Sequence, residues 1–278
     1  MKEYFKVRKF MDGVYQISDP IHKFAIVCST LIVGNEKALL IDTGNGIGDL
    51  KKLVESITNL PITVVNSHGH IDHVSGNYQF DKIYIHKEDI EVKNKYAVTE
   101  VKNFVIEYFE QQNLEFPENF LKEEYVNRKD NSASVIVEEG HVFDLGGRKI
   151  EVIHFPGHTK GSVVFLDRKN KVLFSGDSIS PHVLMYLEES TSINVYIENL
   201  EKINKLDFDN IIASHFTTIY SKDMINKLIH CASNIDIYKS TIYTNPANPM
   251  EGLMYAEGGE PFVSPDFVSI VYTKDKLS

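Results

Sequence analysis

Residues 67 to 77 read Ser-His-Gly-His-Ile-Asp-His-Val-Ser-Gly-Asn and place His68, His70, Asp72 and His73 within six positions. Imidazole and carboxylate are the common protein ligands of zinc and of the transition metals near it. Polar loops also collect such residues, and with 11 histidines in 278 residues a single close pair would mean little. Four potential ligands in six positions point to a metal site. Three further segments each offer one more: His158 in "IEVIHFPGHTKGS", Asp177 in "KVLFSGDS" and His215 in "NIIASHF". Alone, each reads as a turn or cap residue. Together they repeat one arrangement, an apolar strand with a polar ligand at its C-terminal tip, and repetition makes coincidence improbable.

The elements behind these tips follow from hydrophobic periodicity. Strands are expected near Val14–Ile17, Ala25–Val33, Lys37–Ile41, Ile62–Val65 and Lys82–His86, with a helix where Leu50, Leu53, Val54 and Ile57 recur at helical spacing. Alternating strands and helices give an α/β class, in which ligands usually bind beyond the carboxyl ends of strands. A helical insertion is expected at about 94–131, where Val101, Phe104, Val105, Tyr108 and Phe109 share one helix face. The second half is strand-rich, with helices around Val195–Ile203 and from Lys222. The tail at about 241–278, rich in Pro, Gly and Asn, reads as a loop before a last strand "VSIVYTK". No linker-like segment divides residues 1–278, so one domain is expected.

A net charge of −10 argues against a polyanionic partner, since nucleic-acid binding needs a field of Lys and Arg. No apolar run reaches the roughly 18 residues of a membrane span, and "MKEYFKVRKFMDGVYQ" lacks a secretory h-region. A cytoplasmic protein with a small-molecule substrate, no nucleic acid and no membrane partner is expected; the oligomeric state is left open. Cys28 and Cys231, both in apolar surroundings, read as inert core thiols.

Taken in order, the ligand segments resemble the metallo-β-lactamase superfamily over roughly residues 13 to 240. Asp42 in "ALLIDTG" resembles the aspartate of its first motif, His68-Gly-His70-Ile-Asp72-His73 its HxHxDH signature, and His158, Asp177 and His215 its later ligands. The resemblance implies a four-layer αββα sandwich, two mixed β-sheets with helices outside and a metal site along one edge. It further implies that His68, His70 and His158 hold one metal, Asp72, His73 and His215 a second, and that Asp177 bridges them. The cofactors would be two zinc ions, with iron or manganese as substitutes, and a bridging hydroxide would be the nucleophile. Asp72 would be the catalytic residue, and Asp42 would orient a ligand histidine through its other ring nitrogen. Ser214-His215-Phe216 departs from the Gly-His-Gly of many relatives, so the Phe216 ring is expected near the pocket.

The ligand set resembles glyoxalase-II-like and lactonase-like members, which implies hydrolysis of an ester, thioester or lactone of a small molecule. Alternatives are a sulfur dioxygenase with one iron on His68, His158 and Asp177, a phosphodiesterase, and weak β-lactamase activity. His22 and His182 are secondary candidates for substrate contact; His141 and His154 read as scaffold, and Tyr186 and Tyr196 as packing residues. Phe104, Tyr108 and Phe109 read either as docking the insertion on the core or, with Met254 and Tyr255 of the tail, as a lid closing over the metal edge, against which stands the reading that "VSIVYTK" completes a sheet.

Overall fold

A computed structural model describes residues 4–22, 25–245 and 248–277. The first sheet takes β1 (Lys6–Met11), β2 (Val14–His22), β3 (Ala25–Val33), β4 (Ala38–Ile41), β5 (Ile62–Val65), β6 (Lys82–Ile85) and β7 (Ala133–Ile136), paired in that order. Pairing is antiparallel from β1 to β4 and parallel from β4 to β7. The switch to parallel follows from α1 (Leu50–Ile57), which carries the chain back along the sheet between β4 and β5. Asp49 caps α1, its carboxylate accepting from the Lys52 N–H at 3.0 Å.

The second half adds β8 (Val142–Asp144), β9 (Lys149–His154), β10 (Val163–Asp167), β11 (Val172–Gly176), β12 (His182–Leu184), β13 (Asn210–Ala213) and β14 (Ile219–Ser221). All but β12 form a second mixed sheet in the order β14-β13-β11-β10-β9-β8, in which only β11 and β13 run parallel. Each central strand buries both faces, because its alternate side chains serve different cores. Leu39, Ile41 and Val65 meet Val152, Phe165 and Phe174 between the two sheets. Ala38, Leu40 and Val64 turn the other way onto Leu50 and Val54 of α1. Val164, Leu166 and Leu173 pack on Leu200 of α6 (Ile193–Asn204) and Leu228 of α7 (Asp223–Ser233). The layers are therefore α, β, β, α, as the resemblance implies.

Two expectations are corrected. The tail forms β15 (Thr241–Asn245), β16 (Asn248–Glu257) and β17 (Val268–Tyr272), which join β12 in a third sheet of order β12-β17-β16-β15. Composition concealed this: Gly252 reads as a turn residue but lies inside β16, where a Cβ would come within 2.7 Å of Val271 Cγ1 and 3.2 Å of the Tyr186 ring. The lid fails for the same reason, because Tyr255 pairs with Ile270 and is buried beside Val268 and Tyr272 in the core under α7. Met254 points to the opposite face, beside Tyr186 and Leu187.

The insertion contains α3 (Ile90–Tyr96), α4 (Thr99–Gln111) and α5 (Lys122–Asn127). Phe109 is buried with Ile106, Tyr125 and Ile47, so it docks α4 and α5 on the loop after β4. Phe104 stays exposed, stacked on Tyr108 at 6.1 Å between ring centroids. Tyr255→Ala should lower unfolding free energy by about 3 kcal/mol through the lost burial and the cavity left behind. Urea denaturation measures this, and an unmoved midpoint would detach the third sheet from the core.

Candidate metal centre

Every expected ligand lies just past the C-terminal end of a strand at one edge of the sandwich. Asp42 follows β4, the histidine cluster follows β5, His158 follows β9, Asp177 follows β11 and His215 follows β13. Asp42 itself adopts a left-handed backbone, φ 63°, and Gly44 follows at φ 68°, so the chain turns sharply and aims the carboxylate inward. A Cβ on Gly44 would meet Asp19 Oδ2 at 2.6 Å.

The side chains form two outer groups, His68 with His70 and His158 and Asp72 with His73 and His215, and a third group of His68, His73 and Asp177 joins them. In the first, His70 Nδ1 lies 3.0 Å from His68 Nε2 and 2.9 Å from His158 Nε2. In the second, Asp72 Oδ2 lies 3.7 Å from His73 Nε2 and 3.5 Å from His215 Nε2. Asp177 stands between them: Oδ2 is 3.6 Å from His158 and 3.0 Å from His215, and Oδ1 is 3.4 Å from His73. His73 Nε2 and Asp177 Oδ1 are buried without a hydrogen-bond partner. Buried polar atoms are rarely left so, and a bound cation is one of the few things that accounts for a pair of them facing each other.

The outward nitrogens are each held by an acceptor of their own. His158 Nδ1–H donates to the Leu184 carbonyl at 2.7 Å and His215 Nδ1–H to the Ile26 carbonyl at 2.8 Å. His73 Nδ1–H donates to Asp42 Oδ2 at 2.9 Å, and His70 Nε2–H to Glu189 Oε1 at 2.9 Å. The Ser67 hydroxyl gives its proton to Asp42 Oδ2 at 2.7 Å, so at its other contact it accepts from His68 Nδ1–H at 3.0 Å. In all five rings the far nitrogen thus has its own acceptor, which leaves the inward nitrogen as the one available for ligation once it gives up any proton. Burial, and then the neighbouring His70, brings His158 down to about 4, which keeps that lone pair free at neutral pH. Burial also acts on His215, but the Asp177 carboxylate outweighs it and the ring rises to about 9. A cation at this side competes with a proton.

A buried carboxylate, Asp89, ties the two ligand loops together. Its Oδ2 accepts from the Gly69 N–H at 2.7 Å and the Thr159 hydroxyl at 2.7 Å, and its Oδ1 from the Gly161 N–H at 2.8 Å. Gly69 lies between two candidate ligands of the first loop; Thr159 and Gly161 follow His158 on the second. A Cβ on Gly161 would come within 2.5 Å of Asp89 Oδ1, so glycine is needed for the close approach.

Asp42 therefore meets His73 directly and His68 through Ser67. Glu189, Tyr96 and Asp89 were not found from sequence. Glu189 also accepts from the Tyr96 hydroxyl at 2.7 Å, and the Tyr96 ring stands edge-on to His70 with centroids 5.6 Å apart. The Phe216 ring packs edge-on against Tyr220. His182 Nδ1 bonds the Ser269 hydroxyl at 2.7 Å, Tyr186 and Tyr196 are core residues, and the side chain of His22 lies outside the described residues. No helix among the described residues is long and apolar enough to cross a membrane.

Comparison with known proteins agrees with this geometry. The family model "Metallo-beta-lactamase superfamily" matches residues 23–215. The human acyl-coenzyme A thioesterase MBLAC2 is 26% identical over 251 residues, covering 84% of this chain and 87% of the relative. Hydroxyacylglutathione hydrolase GloC of Haemophilus influenzae is 27% identical over 165 residues, covering 57% of this chain and 68% of its own. Among solved structures, a metallo-beta-lactamase from Pontibacter korlensis superposes with a TM-score of 0.59 at 16% identity, over 83% of this chain and 100% of that one. At that identity the likeness concerns fold alone.

Replacing Glu189 with alanine frees the His70 ring to turn and to change tautomer. Affinity at the first group should fall about 10–100-fold. Competition with a chromophoric chelator reads this directly, and wild-type affinity would remove Glu189 from the set of orienting residues.

Proposed function

Because the chain belongs to the metallo-beta-lactamase superfamily, we propose that it is a hydrolase of small-molecule thioesters working with two divalent cations, zinc being the expected pair. The observation that carries this reading is the donor set: two convergent groups, with Asp177 3.6 Å from His158 of one and 3.0 Å from His215 of the other, and an acceptor for the outward nitrogen of every imidazole. His68, His70 and His158 would hold one cation, Asp72, His73 and His215 the other, and Asp177 both. When bound, such cations supply Lewis acidity and bring the pKa of water towards neutrality.

The chain's own residues fit hydrolysis without a covalent intermediate. Burial pushes both thiols up to about 12, Cys28 in β3 and Cys231 in α7, so neither is a nucleophile. Asp72 keeps a partly exposed carboxylate beside the second group, placed to accept a proton from incoming water and to orient it. Thioesters are favoured over other esters and lactones because the MBLAC2 and GloC relatives are named for thioester substrates. A single iron on His68, His158 and Asp177 would leave the convergence of Asp72, His73 and His215 without a purpose.

Metal analysis of protein purified without added metal, followed by assays on thioesters, lactones and phosphodiesters, tests the reading. Two zincs with thioester turnover are expected; one iron with no hydrolysis would overturn it. Asp177→Ala should lower metal content and turnover together, since it removes the ligand common to both groups, and full metal occupancy would contradict the shared role. Asp72→Asn should cost on the order of 10²–10⁴ in kcat while the protein stays folded. Near-wild-type turnover with metals retained would take Asp72 out of the chemistry.

A further inference from the structure

Beside the metal centre, between α2 (Ile71–Val74), α3 and the end of α5, lies a cleft lined by Tyr78, Tyr96, Tyr125, Lys102, Arg128 and Lys129. Tyr96 is a wall common to both sites, since its hydroxyl donates to Glu189 and its ring abuts His70. Val74 and Ser75, which follow His73 directly, form the floor.

The cleft has more positive charge than it neutralises. Four cations, Lys93, Lys102, Arg128 and Lys129, surround a single carboxylate, Asp130, in a chain of net charge −10. Lys93 engages that carboxylate at 3.4 Å and the Ser134 hydroxyl at 2.9 Å. Among the described residues, Lys102, Arg128 and Lys129 have no carboxylate within ion-pair reach. Lys102 is held down by burial and then by the like charge of Arg128, and it donates to the Arg128 carbonyl. The Arg128 guanidinium lies 4.0 Å over the Tyr78 ring, which fixes its plane without cancelling its charge. Like charges assembled in an acidic chain and left uncompensated suit an anionic occupant. The cleft is half-open, with a volume of about 40 Å³. Since a single water needs about 10–15 Å³ on this measure, it has room for one oxyanion group and not for a nucleoside.

We propose that this cleft is an oxyanion subsite that holds a phosphate or carboxylate on the thiol half of the substrate while the acyl carbon lies at the metal centre. The proposal rests on the thioester reading above. Its contribution is to binding: the group held is remote from the bond that breaks, so its loss appears in KM more than in kcat.

The test uses the metal-loaded full chain and three butanoyl thioesters: of coenzyme A, which carries phosphates, of glutathione, which carries carboxylates, and of N-acetylcysteamine, which carries neither. Arg128→Gln and, separately, Lys129→Gln should lower kcat/KM for one oxyanion-bearing thioester relative to the N-acetylcysteamine thioester by about tenfold, as loss of a charge-assisted contact does. Loss on the coenzyme A thioester assigns the group as phosphate, and loss on the glutathione thioester as carboxylate. Unchanged ratios for both, in variants that melt as the wild type does, overturn the subsite. If the wild type turns over none of the three, the thioester reading fails, and calorimetric titration with inorganic phosphate then decides the cleft by itself. Binding weakened about tenfold by Arg128→Gln would uphold it, and no binding to the wild type would end it.

Discussion

An imidazole can offer a metal only one of its nitrogens, and the other must leave its proton with a fixed acceptor. Five such acceptors are required here, and no single element supplies them. Asp42 comes from the turn after β4, the Ile26 carbonyl from β3, and the Leu184 carbonyl from β12 in the third sheet. Glu189 follows β12, and Ser67 works only because Asp42 takes its proton. The acceptors therefore come from the first sheet and the small third one, while two of the rings they hold, His158 and His215, follow strands of the second. Asp42 acts on a candidate ligand of each group, on His73 by contact and on His68 through Ser67, so the two groups share an anchor behind the histidines as well as Asp177 between them.

The sandwich supports this because its strands that carry ligands end at one edge. β4 and β5 run parallel, β11 and β13 run parallel, and β9 reaches the same direction as β11 through two antiparallel steps. Each central strand is apolar on both faces, so a register slip of one residue would exchange two filled cores and move every tip. The ligands are thereby held by packing that lies several residues away from them.

Sequence alone marked the candidate ligands that the structure brings together, because each tip follows an apolar run and spacing within residues 68–73 is a local property. The partners of the outward nitrogens were less accessible. Glu189 meets His70 across 119 positions of chain, and Asp89 meets Gly161 across 72, with no spacing to mark either. Asp89 in "HKEDI" looks like any residue at a helix start. The tail misled for a different reason: Gly252 imitates a turn, whereas its missing side chain lets β16 pass close to Val271 and Tyr186. Phe109 was legible as an apolar stripe residue, but whether that stripe faced the core or the substrate depended on Ile47 and Tyr125, which periodicity does not register.

The Asp89 clamp has a thermodynamic consequence. Two loops that each carry ligands are joined by three hydrogen bonds to one carboxylate, and two of those bonds reach glycine N–H groups where any side chain would intrude. Such a joint forms with the fold, without any cation. The conformational entropy lost in ordering the loops is then charged to folding, so a cation bound by these candidate ligands would meet a site already in shape and its intrinsic affinity would be expressed nearly undiminished.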